Sequence, residues 1–267
     1  MRDVHVHFLH GKEGEYTEEY FLGFVKKAQE MNLVEIYLLE HTHQFYEFED
    51  IYIPVRKYNG YQKSWLERRI TGSVDKYLRF IETVKRDCLP VTVKFGLEVC
   101  YIPETADRLA DILRQYRFDF LTGSVHWIDG WGFDHPNQRE TWNGKNVEEV
   151  YKRYYDIMCE LCESKLFSGL AHPDSIRCFG NLPSYDMNET YTILSELLNQ
   201  NRIYAENSGG LRLNYNPELE LGLNKQLLDV FKRQGVCVCC ASDAHKQSDT
   251  GANIWELERM LLSDVDR

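Results

Sequence analysis

Short runs of apolar residues alternate along the chain with longer stretches in which apolar positions recur every three or four residues. The short runs predict strands near 3–8, 34–39, 92–99, 119–124, 167–171, 203–206 and 236–241. The longer stretches predict helices near 17–30, 72–86, 104–115, 146–164, 187–200, 222–234 and 252–262. Such alternation implies parallel strands joined by helical crossovers. Seven units of this kind favour a closed or nearly closed barrel over an open sheet. No glycine-rich phosphate loop follows any strand, which removes the usual dinucleotide and P-loop readings. Two longer connections, 43–70 and 127–145, interrupt the pattern, and their aromatic content predicts ordered walls of a pocket. No repeat, low-complexity tract or linker divides the chain, so residues 1–267 are expected to form one domain.

The chemistry gathers where such a barrel keeps its active site, at the C-terminal ends of the strands. If Asp3 to His7 is a strand, its period of two puts Asp3, His5 and His7 on one face, and two adjacent imidazoles can chelate one divalent ion. A fortuitous terminal cluster is the alternative reading of that H-x-H. The second strand ends in "LLEHTH" with Glu40, His41 and His43, and the third in "GLEV" with Glu98. The fourth ends in "GSVH" with His126, the fifth in "AHPD" with His172 and Asp174, and the seventh in "SDAH" with Asp243 and His245. With His43 just beyond its strand, six of the nine histidines (His5, His7, His41, His126, His172 and His245) thus fall at strand ends. One alone would be an ordinary structural residue, but imidazoles and carboxylates converging on one rim suit Zn, Mn, Fe or Ni.

Composition narrows the partners. The net charge of −11 disfavours an extended nucleic-acid groove, which needs surplus lysine and arginine, but leaves room for a small phosphorylated metabolite. No run approaches the roughly 18 apolar residues of a membrane span. The chain enters its first strand at once, without a signal peptide, so a cytoplasmic location is expected. Eight cysteines, several inside expected strands and helices, fit reduced thiols. Cys159 and Cys162 form a C-x-x-C in mid-helix with no second pair at zinc-finger spacing.

H-x-H, "EH", "GLEV", "GSVH", "AHPD" and "SDAH", in that order and over nearly the whole chain, resemble the PHP (polymerase and histidinol phosphatase) family, and within it the histidinol-phosphate phosphatase branch. The resemblance implies a distorted (β/α)7 barrel with two or three divalent metal ions. One would be held by His5, His7, Glu98 and Asp243, a second by a bridging Glu98 with His126 and His172. A third would use His41, His245 and a first-loop residue, for which Glu13 occupies the family's position and His10 is the alternative. Arg177 and Arg212 are expected to clamp the phosphate, and Asp243 or His245 to protonate the leaving alkoxide. Asp174 is expected to orient a liganding histidine. Glu40, His43 and Trp127 are candidates for the organic part of the substrate, with Trp131, Phe133 and Trp142 as further walls.

The implied reaction is hydrolysis of a phosphomonoester, L-histidinol phosphate foremost, releasing inorganic phosphate. Clustered cations neutralise the ester's charge and lower the pKa of bound water toward about 7, giving a metal-bound hydroxide. Competing readings are a PHP phosphoesterase acting on nucleotides or nucleic acid, an amidohydrolase, and a non-catalytic metal-binding module.

Overall fold

The computed structural model of the chain describes residues 1–9, 15–85 and 88–263. Glu13 and His10, the expected first-loop ligands, lie outside the described residues. Seven parallel strands follow one another around a nearly closed barrel: β1 (Arg2–His7), β2 (Glu35–His41), β3 (Thr92–Cys100), β4 (Phe120–Ser124), β7 (Gly169–Leu170), β8 (Tyr204–Ser208) and β9 (Val238–Ala241). A hairpin of β5 (Trp127–Ile128) and β6 (Trp131–Gly132) lies outside that sheet. The expected alternation is present, with α1 (Glu18–Glu30), α4 (Val74–Val84), α5 (Ala106–Leu113), α6 (Val147–Glu163), α7 (Asn188–Asn201), α8 (Lys225–Arg233) and α9 (Ile254–Leu262) between or after strands.

The barrel interior is filled rather than hollow. Tyr37 on β2 meets Tyr204 on β8 across it, with ring centroids 6.5 Å apart, and Thr122 Oγ1 on β4 lies 3.0 Å from the Tyr204 hydroxyl. Neither pair belongs to neighbouring strands, so both contacts cross the centre. Gly96 and Gly169 make this possible, because a Cβ at either would collide with Phe120 or Tyr204. Val4, Leu39 and Ala241 complete this apolar floor. The polar rim stands on it.

The seam between the first and last strands closes through side chains as well as backbone. His7 N donates to Ala244 O (2.8 Å) and Asp243 N to His5 O (3.0 Å). A register shift in β1 between Asp3 and Val6 breaks the simple alternation expected there. Asp3 therefore does not join His5 and His7 at the rim. Its buried carboxylate accepts from Ser242 N (2.9 Å), Ser242 Oγ (2.6 Å) and Gly251 N (2.9 Å). Burial pushes its pKa up to about 6, against the opposing pull of these bonds.

The connection 43–70 is largely helical. After a 3-10 turn over Tyr46–Tyr52 come α2 (Ile53–Tyr58) and α3 (Gly60–Arg69). Pro54 suits the first turn of α2, and the Asn59 side chain caps α3 by accepting from Gln62 N (2.8 Å). Gln62 also ties α3 to the hairpin. Its buried amide donates to Val55 O and Gly130 O, and accepts from Gly132 N. The two long connections are thus locked together beside the rim.

Candidate metal centre and substrate cavity

Glu98, at the end of β3, is the hub. Its Oε2 lies 3.3 Å from His5 Nε2, 3.3 Å from His7 Nε2 and 2.9 Å from His41 Nδ1. Its Oε1 lies 2.7 Å from His126 Nε2 and 3.2 Å from His172 Nε2. Asp243 Oδ1 approaches His7 Nε2 (3.4 Å) and His5 Nε2 (3.6 Å). His245 stacks on His7, which stacks on His41, with centroids 4.4 and 4.0 Å apart. The ligand atoms form three overlapping groups, each within 4.8 Å: His5–His7–Asp243, His5–Glu98–His172 and His7–His41–His245.

This donor set fits divalent cations. Glu98 Oε2 and His41 Nδ1 are close enough to pair, yet both are buried without a properly directed hydrogen bond, as are His7 Nδ1 and His172 Nδ1. His5 Nε2 and His7 Nε2 face each other at 3.0 Å, so two nitrogen lone pairs converge unless one is protonated. Such orphaned atoms normally cost free energy, and a shared cation removes the cost. Without a cation, protons do that work. Burial opposes a charge on His5, but Glu206 and Glu98 outweigh it and hold its pKa well above the usual range. Asp134 and Glu98 do the same for His126. Burial would raise Glu98, but His41 and the other imidazoles pull it well below the usual carboxylate range.

Two carboxylates that steer these ligands were not singled out from the sequence. Glu206, fully buried on β8, holds His5 Nδ1 with both oxygens at 3.0 Å and accepts from His172 N (3.2 Å). Asp134 holds His126 Nδ1 at 2.6 Å. Each fixes which ring nitrogen faces the centre. Backbone strain marks the same place: Asp243 and His172 have φ of 55° and 29°. Gly210 is required opposite, since a Cβ there would strike the Asp243 carboxylate. Asn214 Nδ2 holds Asp243 through its carbonyl (2.9 Å) and Oδ2 (3.1 Å).

The donors open into a cavity of about 460 Å³. Its other half is aromatic, with His43, Trp65, Trp127 and His135 in contact at centroid separations of 4.8 to 5.8 Å. Arg69, Asn214, Tyr215 and Lys246 also face it.

A family model described as the PHP domain matches residues 3–209. The chain belongs to the PHP domain family. Asp243 and His245 lie beyond the matched span, and the barrel seam returns them to it. Among PHP relatives, the "Probable histidinol-phosphatase" of Deinococcus radiodurans is 26% identical over 194 residues, 72% of each chain. The fold is similar to that of histidinol phosphate phosphatase (HISK) from Lactococcus lactis, solved with zinc, L-histidinol and phosphate. The TM-score is 0.72 at 19% identity, covering 98% of this chain and 92% of that one. A histidinol-phosphatase candidate, hisK, from Listeria monocytogenes gives 0.76 at 17% identity, covering 96% and 99%. The seven-stranded PHP barrel expected from the sequence is thus present.

Several expected substrate contacts of the PHP site stand elsewhere. Arg177 is buried away from the cavity, its Nε on Asp174 Oδ2 (2.7 Å) and its Nη2 on the carbonyls of Glu220 (3.3 Å) and Gly222. Asp174 accordingly serves Arg177 and Asn224, not a liganding histidine. Arg212 is exposed and donates to Pro217 O (3.1 Å), although its neighbours Leu213 to Tyr215 line the cavity. Glu40 is fully buried off the cavity and accepts from Leu9 N (3.1 Å), the Tyr16 hydroxyl (3.3 Å) and Gln44 Nε2 (3.1 Å), so it ties these three residues to the end of β2. Trp131, Phe133 and Trp142 pack into the core, where Trp142 Nε1 donates to Phe133 O. Only Trp127 and His43 of the expected organic contacts reach the cavity, and Trp65 joins them unforeseen.

Proposed function

We propose that this PHP protein is a metal-dependent phosphomonoesterase of the histidinol-phosphatase type, with L-histidinol phosphate as its first candidate substrate. The observation that carries this is Glu98 with both oxygens inside a ring of five imidazoles, at the base of a cavity sized for a small metabolite. Two or three divalent ions, Zn, Mn or Fe, would be held by His5, His7 and Asp243, by Glu98 with His126 and His172, and by His41 with His245. When bound, they would neutralise phosphate charge and lower the pKa of water enough to supply hydroxide near neutral pH.

The chain's own residues do the rest. Glu206 and Asp134 hold the His5 and His126 rings in one tautomer. Asn214 keeps the Asp243 carboxylate turned to the rim. His43, Trp65 and Trp127 take the organic half of the ester and keep bulk water from it. Asp243 or His245, both on the cavity wall, would pass a proton to the departing alkoxide, and inorganic phosphate is the other product.

The test is phosphate release by zinc-, manganese- and iron-reconstituted protein from L-histidinol phosphate, simple phosphomonoesters, a nucleotide and a phosphodiester. Preference for histidinol phosphate supports the proposal. Preference for the nucleotide or diester would replace the substrate, and no turnover with any metal would refute the reaction.

A further inference from the structure

Arg69, the last residue of α3, is half-buried against the cavity with its guanidinium carbon 5.4 Å from the Trp65 ring centroid. Among the described residues no carboxylate pairs with it. The favourable charge at the helix C-terminus does not require this placement, because Arg68 beside it is exposed and serves as well. Nor does Arg69 belong to the metal centre. His43 and Trp65 stand between, with His41–His43 centroids 4.5 Å apart and His43–Trp65 centroids 4.8 Å apart. A second donor shares this far half. The Trp127 indole N–H is buried on the wall without a hydrogen-bond acceptor. The cavity's carboxylates are engaged elsewhere: Glu98 and Asp243 among imidazoles, Asp134 on His126 and Tyr215, and Asp249 on the Ser248 hydroxyl. One half of the cavity therefore presents planar rings and a guanidinium fork, beside a buried indole N–H that lacks an acceptor, which together call for a flat group carrying an anionic acceptor.

We propose that Arg69 and Trp127 form a carboxylate-binding subsite, and that the enzyme hydrolyses phosphomonoesters of planar alcohols bearing a carboxylate opposite the ester. L-histidinol has no carboxylate, so this is a second substrate class. It rests on the phosphomonoesterase reading above. The overall step is ordinary hydrolysis: the ester P–O bond breaks, water oxygen joins phosphorus, and a proton goes to the alkoxide.

A matched series tests it: benzyl phosphate, 4-carboxybenzyl phosphate and 4-(aminomethyl)benzyl phosphate, with metal-reconstituted wild type, Arg69→Gln, Arg69→Lys and Arg68→Gln. The wild type is expected to favour the carboxylate over plain benzyl phosphate by about tenfold in kcat/KM, through KM, and to disfavour the ammonium. Arg69→Gln should bring the ratio near one, Arg69→Lys should keep part of it, and Arg68→Gln should keep it whole. A wild-type ratio near one, or a ratio indifferent to Arg69→Gln, overturns the proposal. Calorimetric binding of 4-carboxybenzyl alcohol against benzyl alcohol separates the two readings. Selective, Arg69-dependent binding without turnover of any ester keeps the subsite and removes the phosphomonoesterase. Turnover of histidinol phosphate without selectivity does the reverse.

Discussion

The two halves of the cavity are built by different means. The donor half stands on the ends of barrel strands, each held by parallel neighbours and supported from below by an apolar floor of Tyr37, Leu39 and Phe120. The aromatic half is carried by two excursions from the barrel, α2–α3 and the β5–β6 hairpin, joined through the buried amide of Gln62 and the Trp65–Trp127 ring contact. A metal centre needs its ligands held within fractions of an ångström, which strands provide. A recognition wall needs only shape and a few donors, so it can rest on connections free to change without disturbing the barrel. Chemistry in this chain thus rests on strand ends, and selectivity on the connections beside them.

The strongest test of that separation is metal removal. Exhaustive chelation should abolish phosphate release and lower the melting temperature, with zinc restoring both, as activity assays and thermal melts will show. Zinc uptake should weaken steeply as pH falls, because His5 and His126 prefer protons well above the usual imidazole range and those protons must leave first. A zinc titration at several pH values measures it. Glu98→Gln comes next: it should cost more than about a hundredfold in activity and leave the protein metal-poor by elemental analysis. Glu206→Gln should weaken metal affinity by about 10–100-fold while leaving the ligands themselves in place.

Trp65→Ala belongs to the other half. It should raise KM for histidinol phosphate by on the order of tenfold with kcat within a few-fold. A fall in kcat comparable to that of Glu98→Gln would show that the two halves do not act separately. Arg177→Ala should move catalysis least. It leaves the Asp174 carboxylate buried without its cation, so the expected loss is about 3–5 kcal/mol of stability, read by denaturant unfolding, with KM nearly unchanged. A large loss of kcat/KM at unchanged stability would instead restore Arg177 to the phosphate.

The donor half was legible in the sequence because metal chemistry admits few residue types and strand ends fix where they meet. Glu206 carried a signal that went unused: an acid near the end of a barrel strand, the same kind of position as Glu98. Asp134 lies in a connection eight residues after His126, where spacing says nothing about direction. Arg177 shows the same limit. Its offset from His172 is right for reaching the site, but a 3-10 turn over Ser175–Phe179, ended by Gly180 at φ 80°, folds the side chain back onto Asp174. Helix α3 was unreadable because its buried residues are Gln62 and Leu66, which make no apolar stripe.

The seam between β1 and the segment after β9 has a consequence for biosynthesis. Asp3 and Ser242, which fasten it, are 239 residues apart. During translation His5 and His7 leave the ribosome well ahead of Asp243 and His245, which follow more than about two hundred residues later. Until then the nascent protein carries a chelating pair with no last strand to complete it. Metal capture would thereby wait for the last barrel strand to emerge, and a chain released before it would hold ions loosely and catalyse nothing.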